Sequence, residues 1–217
     1  MRRIYLPSSG PDDWQRLLAD PAKHWKRGYS AMAAALSWEA AQGLPPEIAR
    51  IIGPGAELLL AIPEHRVPLP GGRRDSQCDI FALAAQGGGL VAVAVEAKVA
   101  EPFGPTVAEW MARPTPGRVT RLQAIADLLG CPLPPGELRY QLFHRTAAAV
   151  VEARRFRAGR AAMIVQSFSA AHQWYDDFAA FCGFLGLDPA RGQALDRALP
   201  GGLGLTLGWA TGAAAFL

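Results

Sequence analysis

The sequence predicts an α/β protein in which a mixed β-sheet carries helices on both faces, and three observations predict it. Two β-prone runs, DIFALAA and LVAVAVEAKV, flank Gln86-Gly87-Gly88-Gly89, a hairpin connection. AAMIVQSF, from Ala161 to Phe168, is a continuous apolar run of the kind shown by a strand buried on both faces. Stretches with helical apolar spacing lie before, between and after these strands, and layering such helices on one sheet buries all of them. With 217 residues, 50% hydrophobic and 19% charged, the chain is long enough for one sizeable core, so a single domain over residues 1–217 is expected.

The elements follow in order. Pro11 starts a short helix over 11–19, and Asp20-Pro21 repeats the signal, with Asp20 as N-cap and Pro21 at the first helical position. The next helical stretch breaks at Gly28, restarts from Ser30 and stops at Gln42-Gly43 before Leu44-Pro45-Pro46. Its segment AMAAALSWEAA is small enough to pack closely. One or two helical turns over 46–52 precede Gly53-Pro54-Gly55, after which ELLLAIPEHRVPL reads as the first strand. The hairpin supplies the second and third. Beyond it, Val119, Leu122, Ile125, Ala126 and Leu129 share one face of a helix closed by Gly130, and a longer helix is expected from about Glu137 to Arg157. The 161–168 run is placed centrally in the sheet. A helix from about Gln173 to Leu185 carries Trp174, Phe178, Phe181 and Leu185 at core spacing, and GLGLTLGWA gives one last strand.

Composition excludes several classes. No apolar run approaches the roughly 18 residues of a membrane span, and MRRIYLPSSG lacks the apolar stretch of a secretory signal, which places the protein in the cytoplasm. Cys78, Cys131 and Cys182 are too few and scattered for a disulfide framework or zinc knuckle, so any metal must sit on oxygen ligands. A net charge of +3 is compatible with a polyanionic partner but weaker than the footprint of a DNA-coating protein.

A hairpin loop of two or four residues sets Ala85 opposite Leu90, Phe81 opposite Ala94 and Asp79 opposite Glu96; a loop of three or five puts the two acids on opposite faces. Facing acids destabilise a sheet unless a cation balances them. Lys98, two residues after Glu96, projects from the same face and balances one. A divalent ion held by Asp79, Glu96 and the main-chain carbonyl of Ala97 balances both, and its hard oxygen shell suits Mg²⁺ or Mn²⁺. Such an ion lowers the pKa of a bound water and draws charge from a phosphoryl oxygen, while Lys98 orients that water or stabilises developing charge. The plainer account of the three side chains is a salt-bridge cluster at the mouth of a hairpin.

Asp79, sixteen intervening residues and then Glu96-Ala97-Lys98, on a strand pair preceded by a helix, resembles the PD-(D/E)xK restriction-endonuclease-like nucleases. That superfamily shares a core of helix, three strands, helix and strand. The likeness covers about residues 30–168, with an N-terminal helical and a C-terminal helix-strand extension, and resembles an uncharacterised bacterial branch. It implies Mg²⁺-dependent cleavage of nucleic-acid phosphodiesters, with Asp79 and Glu96 as metal ligands, Lys98 as the catalytic lysine and Glu39 of the first core helix as a further acid near the metal. Cys78 stands where the motif has proline. For Glu39 the alternative is a solvent-facing helix end.

Further candidates concern the substrate. Arg118 and Arg121 fall in the first turn of their helix, where an anion such as phosphate is a natural partner and solvation is the commoner explanation. Gln141 and Arg145 share a helix face, with His144 beside them, and either reach nucleic acid or belong to a structural face. Arg154, Arg155, Arg157 and Arg160 either track a phosphate backbone or end a helix; the four histidines are too widely spaced for a metal set. The expected partner is nucleic acid, DNA first, with no membrane and with a homodimer open. The rival functions are an inactive binding or structural protein of the same fold and a hydrolase of some small phosphate.

Overall fold

The computed structural model describes residues 10–18, 20–72 and 74–217. Residues 1–9, which carry the expected start, and Ala19, the last residue of the first expected helix, lie outside them. Pro11–Leu17 forms a 3-10 helix rather than an α-helix. Asp20 caps α1 (Pro21–His24), its carboxylate accepting from the Lys23 N–H at 3.1 Å. Gly28 at φ 81° separates α1 from α2 (Ser30–Ala41), and α2 ends with Gln42, not Gly43, in the left-handed region. Next come α3 (Pro46–Ile52), the single turn α4 (Val107–Trp110), α5 (Pro116–Leu129), α6 (Tyr140–Arg155) and α7 (Tyr175–Phe184). Thr115 caps α5 with Pro116 at its first position, and Gly130 closes it at φ 59°.

Six strands form one mixed sheet: β1 (Glu57–Val67), β2 (Ser76–Gln86), β3 (Gly89–Lys98), β4 (Arg160–Ser167), β5 (Ala194–Ala198) and β6 (Gly204–Thr211), in the order β1-β2-β3-β4-β6-β5. The first three run antiparallel, β3, β4 and β6 parallel, and β5 antiparallel to β6. The hairpin has a two-residue loop, because Gln86 pairs with Gly89. Gly87 and Gly88 both have positive φ, as the primed turns that match strand twist require. The expected register follows, with Phe81 opposite Ala94 and Ala85 opposite Leu90.

Each face of the sheet buries a core. Ala92 and Ala94 of β3 join the side chains of α5, α6 and α7, among them Leu122, Phe143, Phe178 and Trp209 of β6. Val91, Val93, Val95 and Ala97 face α2 and α3 with Trp38, Ile48 and Ile51. The second core holds one polar knot: Trp38 Nε1 donates to Gln166 Oε1 at 3.0 Å, and Gln166 Nε2 donates to Glu47 at 2.7 Å and to Ser37 at 3.2 Å. β4 is buried along its length, as its apolar run predicts. Two expectations about the helix faces need correction. Val119 is 54% exposed, its place in the helix face taken by Arg121. Trp174 precedes α7 as a left-handed N-cap rather than lying within it. β5, whose burial alternates along a short polar segment, and α4 carry no pattern that the sequence reading detects.

Candidate active site

The hairpin brings Asp79, Glu96 and Lys98 together, but not as a facing pair of acids. The β2–β3 ladder ends at Ile80–Val95. One residue beyond, both β1 and β2 lose their alternation: Ile62 and His65, like Phe81 and Cys78, lie on the α6 side of the sheet, two residues intervening where alternation allows one. The two strands keep their mutual register through the change, with Pro63 opposite Ile80 and His65 opposite Cys78. Glu64, between them, has φ 53°, a left-handed conformation that a non-glycine residue holds at a cost of about 1–3 kcal/mol. The Asp79 carboxylate consequently leaves the α6 face and accepts the Ala97 N–H at 2.7 Å. It opens on a cavity of ≈ 180 Å³ on the α2 side, lined also by Glu64, Gln77, Glu101, Ser30, Ala31, His24 and Leu18.

Glu96 stays on the α6 face and is 2% exposed. Lys98 Nζ donates to its Oε1 at 2.5 Å and Arg145 Nε to its Oε2 at 2.6 Å. Burial alone raises a carboxyl pKa, yet these two cations bring Glu96 down to about 2. They do less for Asp79, which burial and the neighbouring Glu96 charge push up to about 7 against the opposing pull of Lys98, Arg145 and the Ala97 N–H. Burial and Asp79 push Glu64 up to about 8, although it accepts a hydrogen bond from Gln77 Nε2. Arg145 also donates to Ser76 Oγ, which lies 2.8 Å from His144 Nδ1; burial and Arg145 hold His144 well below its usual value.

The other expected site residues lie elsewhere. Glu39 accepts the Trp14 Nε1–H at 2.9 Å and does not line the Asp79 cavity. It stands nine residues along α2 from Ser30, which does, a helical rise of about 13 Å. Arg121 is buried, and its guanidinium donates to the carbonyls of Leu69, Pro70 and Arg74, tying the β1–β2 connection to α5. Arg118 donates to the carbonyls of Trp110 and Arg113 and stacks over the Trp110 ring. Both guanidiniums thus donate to main-chain carbonyls. Of the substrate candidates, Arg145 alone reaches the acids, as the partner of Glu96, while Gln141 Oε1, one turn before it on α6, is buried without a hydrogen-bond partner among the described residues. Within the basic cluster, Arg160 donates to the Ile52 carbonyl and Arg155 pairs with Glu152.

The sequence reading missed Glu64 and Glu101. Glu101 accepts from the Ser30 N–H and Oγ and from the Val99 N–H, holding the first turn of α2 against the segment after β3; these bonds lower its pKa against the effect of burial. No local pattern announces that role. For Glu64 a signal existed in Pro63, since proline inside a strand marks an edge or an irregularity.

The model of DUF6946, a domain of unknown function, matches residues 7–214. The chain belongs to the DUF6946 family. No curated protein and no solved structure matches it. The family match thus spans the whole sheet and both cores, including the Asp79 cavity. Among the described residues, no group of three or more His, Cys, Asp or Glu side chains is arranged as a metal centre, and no helix is long and apolar enough to cross a membrane.

Proposed function

We propose that this DUF6946 chain is a metal-dependent phosphodiesterase acting on nucleic acid, of the restriction-endonuclease-like kind. One observation carries the reading: the end of a β-hairpin brings Asp79, fixed by the Ala97 N–H, within electrostatic reach of the hydrogen-bonded Glu96–Lys98 pair, and beside a cavity that Asp79, Glu64 and Glu101 line. The order α2, β1–β3, α6, β4 supports it, being the core order of that superfamily.

The donor set bears on the ion this reading requires. Asp79 and Glu64 fit a hard divalent cation such as Mg²⁺ or Mn²⁺, since both line one cavity, and burial together with nearby negative charge, Glu96 on Asp79 and Asp79 on Glu64, leaves them short of positive charge. Glu96 joins them only by giving up Lys98 or Arg145, which hold both its oxygens. Such an ion would supply Lewis acidity and an activated water. The chain's own part is narrower: Asp79 is fixed by the Ala97 N–H, Glu96 holds the Lys98 ammonium in place, and that ammonium carries a proton for charge developing on a phosphoryl oxygen. The reading makes DNA the first polymer to test, a homodimer the assembly for cutting both strands, and the cytoplasm the location.

A second reading has its own observation. Glu96 closed off by two cations at 2% exposure is a self-neutralised cluster, as expected of a family member that keeps the fold and binds without cutting. Incubation of DNA and RNA with the protein and Mg²⁺ or Mn²⁺ separates the two. Cleavage that falls at least about 100-fold in Asp79→Asn and Lys98→Ala supports the enzyme. Absence of cleavage together with no Mn²⁺-dependent rise in melting temperature removes the metal and leaves the second reading.

A further inference from the structure

A second cleft lies apart from Asp79, at the same edge of the sheet. It encloses ≈ 540 Å³ between the loop after β4 and Arg191, and its walls include His172, Trp174, Tyr175, Asp176 and Asp177. That volume is in the range of small-molecule sites. The loop is tied to the C-terminal end of β3: the Phe168 N–H donates to the Lys98 carbonyl at 2.8 Å, and Trp174 Nε1 to the Ala100 carbonyl at 2.9 Å. Ala100 adjoins Glu101, which lines the Asp79 cavity, so one short segment supports both hollows.

The loop is held in an uncommon shape. His172 has φ 50° and Trp174 φ 68°, and tryptophan lacks the short polar side chain that eases a left-handed backbone. What this shape holds in place is a polar aromatic wall. The Arg191 guanidinium lies over the Tyr175 ring at 5.6 Å, and Tyr175 is seated edge-on against the buried Trp209 at 5.2 Å. His172 Nδ1 is buried without a hydrogen-bond partner among the described residues, and burial and Arg191 keep its ring below the usual pKa. Asp177 is taken by Arg139 at 2.9 Å, whereas Asp176 is exposed beside the cleft.

The wall discriminates between ligand classes. A free phosphate would meet Arg191 but also two aspartates. A purely apolar ligand would strip water from Asp176 and Arg191 and replace none of their hydrogen bonds. A planar ring with a polar edge suits this wall: its face stacks on the plane that Arg191 and Tyr175 present, and its edge offers a donor to the exposed Asp176. Bases in a duplex keep their faces covered by their neighbours, so only an unpaired base can enter.

We infer that the cleft formed by Trp174, Tyr175, Asp176 and Arg191 is a subsite for one unpaired nucleobase of a nucleic-acid strand lying across the C-terminal edge of the sheet. The inference rests on the nucleic-acid reading above and deepens it, making the substrate single-stranded or locally opened. Arg191 stacks as a plane, so lysine does not replace it.

Fluorescence anisotropy of a labelled short oligonucleotide, single-stranded or as a hairpin duplex of the same sequence, tests this in EDTA, where no cleavage occurs. The single strand is expected to bind at least about tenfold more tightly, with Arg191→Ala and Tyr175→Leu each weakening it about 5- to 50-fold and Arg191→Lys failing to restore it. Free nucleoside should compete where inorganic phosphate does not. Arg191 is exposed, so its variants test the subsite even where Tyr175→Leu fails to fold. Equal affinity for duplex, competition by phosphate alone, or Arg191 variants that bind like the parent would overturn the subsite. Metal-dependent cleavage that survives such a result leaves the phosphodiesterase standing, and single-strand binding without cleavage does the reverse.

Discussion

Two carboxyl groups at neighbouring positions, Glu96 buried and Asp79 half-buried beside its cavity, meet opposite fates, and each yields a measurement. Glu96, held by Arg145 and Lys98, is lowered to about 2. Its stabilising contribution is therefore present above the ordinary carboxylate range and lost as the pH falls towards 2. Arg145→Met leaves one oxygen of a buried carboxylate unpaired and should cost about 3–5 kcal/mol in urea unfolding, whereas Arg118→Ala, at a half-buried site with main-chain partners, should cost about 1–2 kcal/mol. Asp79 behaves in the opposite sense. Its pKa rises from 3.8 to about 7, so the unfolded chain releases this proton first and the parent protein loses stability as the pH climbs from about 4 to 7. Asp79→Asn keeps an acceptor for the Ala97 N–H and removes the charge. Its unfolding free energy should fall less steeply over that window and exceed the parent's at pH 8 by on the order of 1–2 kcal/mol, the residual slope belonging to Glu64. Identical slopes in the two proteins would contradict the assignment. That Asp79 comes near Glu96 and Lys98 was legible in the sequence, because hairpin register is arithmetic. The partners of Arg121 and Arg145 were not legible, because a buried arginine is indistinguishable from a solvated one until its acceptors, carbonyls from a distant loop or a carboxylate on another strand, are known.

Among the elements, those set by local rules were readable and those set by their neighbours were not. The Gly87-Gly88 turn fixed the β2–β3 register, and the unbroken apolar run marked β4 as central. The joint loss of alternation in β1 and β2 depends on a backbone conformation at Glu64 that no residue preference announces, so the side of the sheet on which Asp79 emerges was hidden. β5 is short and polar at an edge and draws its order from β6. Close packing between elements offers a sharper test. A methyl group on Gly208 of β6 would stand 2.6 Å from Ile51 Cγ2 of α3, so Gly208→Ala should lower stability by about 1–3 kcal/mol. Gly183, near the end of α7, has open space at the same position, and Gly183→Ala should be neutral or stabilising by up to about 1 kcal/mol. Comparable melting temperatures for the two variants would mean that α3 does not press on the sheet as described.

Across the whole molecule, the extension expected to follow residue 168 proves to be part of the core. β6 pairs with β4 along its full length, and Leu205, Leu207 and Trp209 are fully buried. A chain truncated after Phe168 should show no cooperative thermal transition, and a sharp melt in that fragment would make the β4–β6 contact dispensable. The same pairing bears on biosynthesis. β4 finds one partner already made in β3, but its other edge has to wait while the 36 residues from 168 to 203 are translated. At about 5–20 residues per second that is roughly 2–7 s during which an apolar, hydrogen-bond-hungry strand on the nascent chain has one side open to any passing polypeptide, and a chaperone is best placed to shield it then.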